Sequence, residues 1–186
     1  MNIEQIYKAF KIPTPEDDVM NRSVSSLIQQ RLSLKVEMYK SIHELDKIEW
    51  NRIFEGKGSF DAEGMDFLEQ AFTFNELPED NWLFDYIIVR DHDDKIILAT
   101  FCSTALWKDD MLSPASISRQ VEEARNSNPY YMTSTVLSTG SLLTEGEHLF
   151  IDYSSGLWKE ALQLFFEKLA HLQEKYKATQ VLIRDF

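Results

Sequence analysis

Cysteine is nearly absent from the sequence, since Cys102 is the single thiol among 186 residues. One thiol cannot form an internal disulfide, which excludes a disulfide framework within the chain. Cys102 lies in an apolar run typical of a strand, so we expect a small, buried, hydrophobic side chain. Both points favour a protein of the reducing cytoplasm.

Long uncharged apolar runs are absent as well. No stretch of the sequence reaches the roughly 20 apolar residues that a membrane-spanning helix needs. Residues 1–10 contain Glu4 in place of the basic start of a signal peptide. We therefore expect neither a membrane span nor a secretory signal.

Basic residues are scarce relative to acidic ones. The 19 Lys and Arg against 31 Asp and Glu give a formal net charge of −12. Such a charge repels phosphate backbones and argues against nucleic acid or an anionic membrane as the main partner. A small anionic cofactor remains compatible with it, because local backbone N–H groups can hold a phosphate whatever the global charge.

Several catalytic motifs are missing too. The sequence has no GxSxG elbow, no HExxH pair, no CxxC pair and no P-loop. Serine hydrolase, zinc protease and nucleotide hydrolase functions therefore have no motif to support them. The length of 186 residues suits one α/β domain with a full core.

The most informative stretch is 148–186, which predicts a strand, a turn, a long helix and a second strand. Residues 148–152 form a short apolar run that suits a strand covered on both faces. Ser154, Ser155 and Gly156 then break the run and supply hydroxyls that can cap a helix. We expect residues 179–183 to be a strand parallel to the first, reached by a right-handed crossover. The apolar stripe of the helix between them is formed by Trp158, Ala161 or Leu162, Phe165, Leu169, Leu172 and Tyr176.

The turn between this strand and its helix is a candidate ligand site. Open α/β sheets bind ligands at the carboxyl ends of their strands. The N-terminus of the helix offers unpaired N–H groups and a partial positive charge to an anion such as a phosphate. The alternative interpretation is a capped helix packed on a sheet, and capped helices are much commoner than phosphate sites.

The rest of the chain predicts further elements of the same domain. Tyr130 and Tyr131, in an insertion at 111–132, either shape a pocket or cover the sheet edge. Residues 1–33 are expected to be an N-terminal helical appendage or linker, because their apolar stripes are thin and separated by charged residues. The main domain is then 34–186. The apolar patterns predict strands at 34–39, 84–90, 95–107 and 134–143, and helices at 41–54, 61–74 and 116–125.

The polar hairpin turn before residue 95 contains Asp91, His92, Asp93 and Asp94. Such a cluster could be imagined as a metal site. Hairpin turns, however, favour Asp for backbone reasons, and consecutive residues rarely converge on one ion. We expect no metal there.

The order of these elements, with three short phrases, resembles the GNAT superfamily of acyl-CoA N-acyltransferases. The phrases are residues 49–51, 66–72 and 182–186, and they are similar to a bacterial subgroup related to Fem-type transferases. The resemblance covers residues 34–186 and implies an α/β, or α+β sandwich-like, fold with a central mixed sheet flanked by helices. In that subgroup a GNAT-like domain sometimes follows a pyridoxal-phosphate enzyme. A fusion to such an enzyme, or a homodimer, is therefore among the assemblies it implies.

A GNAT fold usually continues past the last strand predicted here, with another helix and a closing hairpin. This sequence stops at Phe186. We expect those closing elements to be lost, to be supplied by a partner, or to lie in a longer protein.

The resemblance also implies acyl-CoA, such as acetyl-CoA, as a co-substrate held by the strand–helix turn. A GNAT loop has Gln or Arg, two residues, Gly, one residue, and then Gly or Ala. Tyr153 stands at the basic position, Gly156 matches the first glycine, and Trp158 occupies the small-residue position. One position of three matches. The implied cofactor-binding residues are Ser154, Ser155, Gly156 and Leu157.

Transfer of an acyl group from a thioester to an amine needs a base for the amine and an acid for the leaving thiolate. Glu145 and His148 are the candidate bases, and Tyr153 is the candidate acid by resemblance to the family. A glutamate such as Glu145 is more often a solvated turn residue than a base, a histidine such as His148 is more often a strand-edge residue, and Tyr153 also fits a core position. The acceptor would be an amino group of a small molecule or an amino acid. The alternative function is a catalytically inactive GNAT-like accessory or interaction domain of a larger enzyme.

Overall fold

The computed structural model describes residues 34–184. The appendage expected at 1–33 lies outside the described residues, as do residues 185–186. A six-stranded mixed sheet is flanked by four helices, which agrees with the predicted α/β class. The strands are β1 Lys35–Tyr39, β2 Leu83–Arg90, β3 Ile96–Lys108, β4 Thr133–Thr139, β5 Leu149–Ile151 and β6 Gln180–Leu182. The helices are α1 Lys47–Phe54, α2 Ala62–Ala71, α3 Ala115–Arg125 and α4 Trp158–Tyr176, with 3-10 turns at Ile42–Glu44 and Pro78–Asp80.

Aspartate caps set the first two helices. The Asp46 carboxylate accepts hydrogen bonds from the N–H groups of Ile48 and Glu49 at 2.9 and 3.2 Å, and Asp61 caps α2 in the same way. These bonds satisfy N–H groups that a helix start leaves unpaired. The helix predicted over 41–54 is wrong in its first part, because Asp46 starts a new helix after the 3-10 turn.

The sheet has the order β1-β2-β3-β4-β6, and β5 pairs with β3. All pairs are antiparallel except β4 with β6, which is parallel. The predicted parallel direction of the last two strands is confirmed. The partner of β6, however, is β4 rather than β5.

The long hairpin strand β3 carries β4 and β5 end to end along one edge. β4 pairs with the second half of β3 and β5 with Leu98–Thr100. An uninterrupted ladder would continue from Ser138 opposite Ser103 to residue 141 opposite Thr100. Leu149 lies opposite Thr100 instead, so eight residues are inserted. β4 and β5 are therefore one strand with a large excursion, residues 140–148.

The sheet separates two apolar cores. On one face α1 and α2 pack against β2 and β3 around Trp50, Phe54 and Phe101. On the other face α4 packs through Phe165 and Leu169. The apolar stripe predicted for α4 is confirmed, since its central residues are buried while Trp158 and Tyr176 are partly buried.

The described helices include none that is both long enough and apolar enough to cross a membrane.

Candidate functional site

The excursion at 140–148 opens at Gly140. Gly140 has φ +72°, and a Cβ there would lie 2.5 Å from the His148 ring. Its N–H donates to the Phe101 carbonyl at 2.8 Å, and its carbonyl accepts from Ser103 Oγ at 2.7 Å. The chain thus leaves the β3 edge at a residue that must be glycine both for its backbone angle and for its close contact.

His148 closes the excursion from inside the protein. Its side chain is 1% exposed and lies edge-on to the rings of Phe60 and Phe101, with centroid distances of 6.3 and 6.4 Å. Nε2 lies 3.3 Å from Thr139 Oγ1, and Nδ1 lies 3.4 Å from the Gly146 carbonyl. His148 is therefore an interior residue, which lies directly before β5 and is covered by aromatic rings.

Arg184, just after the neighbouring strand β6, holds the beginning of the excursion. Its guanidinium donates to the carbonyls of Ser141 and Leu142 at 3.2 and 2.8 Å. Its backbone N–H donates to Thr139 Oγ1 at 3.4 Å. The residues following β6 are thus bonded to the point where β4 ends.

Glu145 lies at the outer tip of the excursion. Its side chain is exposed, and its carbonyl is 3.1 Å from the position that a Cβ on Gly58 would take. The neighbouring Glu147 forms an ion pair with Lys57 at 3.4 Å. The tip therefore packs by its backbone on the loop between α1 and α2, and the Glu145 carboxylate faces solvent.

Asp152 ends the strand and organises the turn into α4. Its Oδ1 accepts from the N–H and the hydroxyl of Ser154 at 3.0 and 2.5 Å, and its Oδ2 lies 2.6 Å from Lys95 Nζ. The hydrogen bond from Lys95, followed by those from Ser154, lowers the pKa of Asp152 to about 2. A fixed negative charge therefore stands where the strand meets the helix.

Several N–H groups of the turn donate hydrogen bonds to acceptors within the turn itself. The Ser155 N–H donates to the Asp152 carbonyl, and the Leu157 N–H donates to Ser155 Oγ, both at 3.1 Å. No side chain caps α4. Within residues 34–184 the N–H of Gly156 has no acceptor, and a Cβ on Gly156 would meet nothing within 4 Å. The N–H groups of Gly156 and of the first turn of α4 are therefore the hydrogen-bond donors that this site can offer to a ligand.

Tyr153 projects outward from this turn. Its side chain is 69% exposed, and its ring contacts Trp158 edge-on at 5.3 Å between centroids. The core position considered for Tyr153 is wrong. The phenol is free to meet a ligand, whereas the Trp158 indole occupies the position where the GNAT pattern has a small residue.

The predicted site residues thus fall into three surroundings. Ser154, Ser155, Gly156 and Leu157 share the strand–helix turn with Tyr153, whereas His148 is interior and Glu145 is at the outer tip. Sequence reasoning missed the part of Arg184, which follows the last strand and has no local signal. The hydrogen bond from Ser154 to Asp152 has a local signal, because Asp two residues before Ser is a common turn pattern.

A pocket of about 230 Å³ lies elsewhere, between β1 and α1. Tyr39 and Trp50 line it, and charged groups surround it. Arg90 donates to both oxygens of Glu49 at 2.8 and 2.5 Å and to Glu37 at 2.9 Å. The hydrogen bond to Glu49 raises the pKa of Arg90 despite partial burial. These charges are paired with each other, so they stabilise the β1 edge.

Asp91, His92 and Asp93 have ligand atoms within 4.8 Å of one another. Asp91 Oδ1 already accepts from the N–H groups of Asp93 and Lys95, both at 3.0 Å. The cluster is an exposed hairpin turn held by its own backbone, and such acidic turns are common without a metal.

Comparisons with protein-family models, with curated proteins and with solved structures find no match for the chain. The fold and the site define a mixed α/β domain with an interrupted sheet strand and an uncapped helix N-terminus at its end.

Proposed function

We propose that the chain is an acyl-CoA-dependent N-acyltransferase domain, which moves an acyl group from a coenzyme A thioester to an amino group of a small molecule or an amino acid. The observation that supports this most is the uncapped N-terminus of α4, which follows β5, the strand that resumes the β3 edge after an eight-residue interruption. A break in a strand turns backbone groups out of the ladder, and an uncapped helix start offers N–H donors to phosphate. The buried thiol of Cys102 fits the reducing cytoplasm.

In this function the turn holds the coenzyme A pyrophosphate. The N–H of Gly156 and the first N–H groups of α4 are the donors, while Ser154, Ser155 and Leu157 shape the turn through their internal bonds. The helix dipole adds a partial positive charge at the same point.

The chemical step needs one base and one acid. The Glu145 carboxylate lies at the outer tip of the excursion, and β5 separates it from the turn that holds Tyr153. The acceptor amine therefore loses its proton to water, and its nitrogen forms a bond to the thioester carbon. As the carbon–sulfur bond breaks, the leaving thiolate takes the Tyr153 phenol proton. His148 fixes the end of the excursion, because its ring is buried against Phe60 and Phe101.

A second candidate is a GNAT-like accessory domain that does not bind coenzyme A. Asp152 favours it, because its carboxylate takes the N–H and hydroxyl of Ser154 and keeps a negative charge beside the turn. Trp158 favours it as well, because its indole stands at the position of a small residue. A phosphate of coenzyme A would have to bind close to the Asp152 carboxylate. The ion pair with Lys95 partly compensates the negative charge of this carboxylate.

The two candidates are separated by calorimetric titration with acetyl-CoA and desulfo-CoA on the wild type and on Gly156→Asp and Gly156→Asn. Both substitutions fit, because a Cβ at Gly156 meets no atom within 4 Å, and they differ only in charge. An acyltransferase binds both ligands, keeps its affinity in Gly156→Asn and loses about tenfold in Gly156→Asp.

Absence of binding to the wild type at millimolar ligand would leave the accessory function. Equal affinity of the Asp and Asn variants would show that the ligand does not bind at this turn. If binding is found, Tyr153→Phe is expected to lower turnover by about 100-fold without changing the affinity for desulfo-CoA.

A further inference from the structure

Acidic residues are concentrated in one part of the chain. Between Lys57 and Arg90 there is no Lys or Arg, while eight of the 31 Asp and Glu fall there. This part includes α2 and the loop 72–82 that connects α2 to β2. Two of the eight carboxylates, Glu69 and Asp85, are buried, so the remainder mark the surface of this region.

The loop 72–82 is tightly built. The rings of Phe72 and Trp82 stack at 4.0 Å with an angle of 10° between them, and the Trp82 N–H donates to the Phe72 carbonyl at 2.7 Å. Inside the loop, Asn75 and Asn81 bond to each other in both directions, side chain to backbone, at 2.8 and 3.0 Å. The Asn75 amide also donates to the carbonyls of Ala71 and Asp80. The loop therefore has one well-defined conformation.

This rigid loop exposes apolar side chains. Phe74 is fully exposed and has φ +61°, a left-handed backbone conformation that a residue with a Cβ disfavours. Leu77 is 55% exposed in the same loop, and Phe67 is 70% exposed on the outer side of α2. Leu83, at the start of β2, is 48% exposed. Phe74 and Leu77 lie three residues apart in this short loop and together expose roughly 300 Å² of apolar surface, within the range of functional patches on single chains. Leu83 faces the other side of the sheet, since its neighbour Phe84 packs in the core under α2.

Charge surrounds these apolar groups. Glu76, Glu79 and Asp80 are exposed, and none of them has an ion-pair partner among residues 34–184. At the α2 end, Asp66 pairs with His43 at 2.7 Å, and Lys47 lies 3.3 Å from the same imidazole. The loop end of this surface is therefore strongly negative, and the α2 end is partly compensated.

We propose that Phe74 and Leu77, with the carboxylates of the same loop, form a docking surface for a basic amphipathic segment of a partner protein. An apolar stripe on such a segment covers the exposed aromatic groups, while its Lys and Arg meet Glu76, Glu79 and Asp80. A second copy of this chain is a poor occupant, because its net charge is −12. The docking surface is independent of the acyltransferase function.

The test uses fluorescence anisotropy with a labelled amphipathic Leu–Lys helical peptide as the probe and the full chain as the binding protein. The wild type is expected to bind the peptide with a micromolar Kd, and Phe74→Asn to bind it about tenfold or more weakly. Asn tolerates the left-handed conformation, so the variant is expected to keep its fold, and thermal unfolding verifies this. The matched control is Leu112→Ser, which changes a side chain that is 95% exposed in the β3–β4 insertion. It is expected to bind the peptide like the wild type.

Two further peptides separate the contributions to binding. A Leu–Glu peptide with the same leucine positions is expected not to bind, and a Lys–Ser peptide of the same charge is expected to bind at least about tenfold more weakly than Leu–Lys. Equal binding of Leu–Lys to the wild type and Phe74→Asn would overturn the proposal. So would equal binding of Lys–Ser and Leu–Lys, or no Leu–Lys binding at about 100 µM.

Discussion

Single residues decide how the sheet is interrupted. Gly140 turns the chain away from β3 with φ +72°, and the His148 ring packs against the space where its side chain would be. A buried carboxylate, Glu69, has a comparable structural role on the α1–α2 side of the sheet. It accepts from the Ile42 N–H at 2.7 Å and the Tyr86 hydroxyl at 2.5 Å. Burial, reinforced by the Glu69 hydrogen bond, raises the pKa of Tyr86. Burial of these polar groups is tolerated because each forms hydrogen bonds with partners from distant elements.

Gly140→Ala is expected to lower the free energy of unfolding by about 2–4 kcal/mol. Alanine disfavours the left-handed backbone conformation at this position, and its Cβ would lie 2.5 Å from His148 Cγ. Urea unfolding followed by tryptophan fluorescence measures the change. Gly156→Ala is the control, expected to stay within about 1 kcal/mol of the wild type, because its Cβ meets nothing within 4 Å. Equal effects of the two substitutions would contradict the packing described at Gly140.

At the scale of elements, the periodicity of apolar residues and the turn-forming residues between them predict much of the fold. The hairpin of β2 and β3 follows from two apolar runs around a polar turn, and α4 follows from its stripe of buried residues. The strand predicted at 134–143 is too long, because β4 ends at Thr139. The excursion that follows could not be predicted, because its buried His148 is stabilised by Phe60 and Phe101, which are distant in sequence.

The strand–helix turn shows the same division. Ser154, Ser155 and Gly156 identify it from the sequence alone. The ion pair between Asp152 and Lys95 depends on β5 lying beside β3, and that register is a property of the sheet. The sequence pattern therefore locates the candidate site, whereas the fold determines its charge.

Asp152→Asn is expected to flatten the dependence of stability on pH under acidic conditions. The hydrogen bonds from Lys95 and Ser154 lower the pKa of Asp152 to about 2, below the value of about 3.9 in an unfolded chain. Its contribution to stability is thus complete above about pH 4 and is lost as the pH falls toward 2. Urea unfolding of both proteins between pH 7 and pH 2 measures this difference.

The exposed Glu145 supplies the control for removing one surface carboxylate, and Glu145→Gln is expected to leave the stability at pH 7 within about 0.5 kcal/mol of the wild type. A stability difference between wild type and Asp152→Asn that stays constant down to pH 2 would show that Asp152 titrates normally in the folded chain.

For the whole molecule, the sheet joins the two cores, and one charged cluster ties α4 to the sheet. Asp85 is buried on β2, and its carboxylate contacts Lys40, after β1, and the Tyr176 hydroxyl, at the end of α4. Three elements from distant parts of the chain therefore meet at one carboxylate. Such a connection favours unfolding of the described domain as one unit, since α4 cannot leave the sheet without exposing Asp85 and the core beneath it.

Cys102 tests this cooperativity directly. Its thiol is 0% exposed in the core under α4, and burial, with the nearby Asp85 carboxylate, raises its pKa. Because the thiolate is the reactive form, a disulfide reagent such as DTNB is expected to react only after the domain opens. Its reactivity should rise at the same urea concentration as the change in tryptophan fluorescence. The control is Leu112→Cys in a Cys102→Ala chain, whose exposed thiol should react at once in the folded state. Rapid reaction of native Cys102 would mean that α4 separates from the sheet by itself, and the charged cluster at Asp85 would then not hold α4 and the sheet together as one cooperative unit.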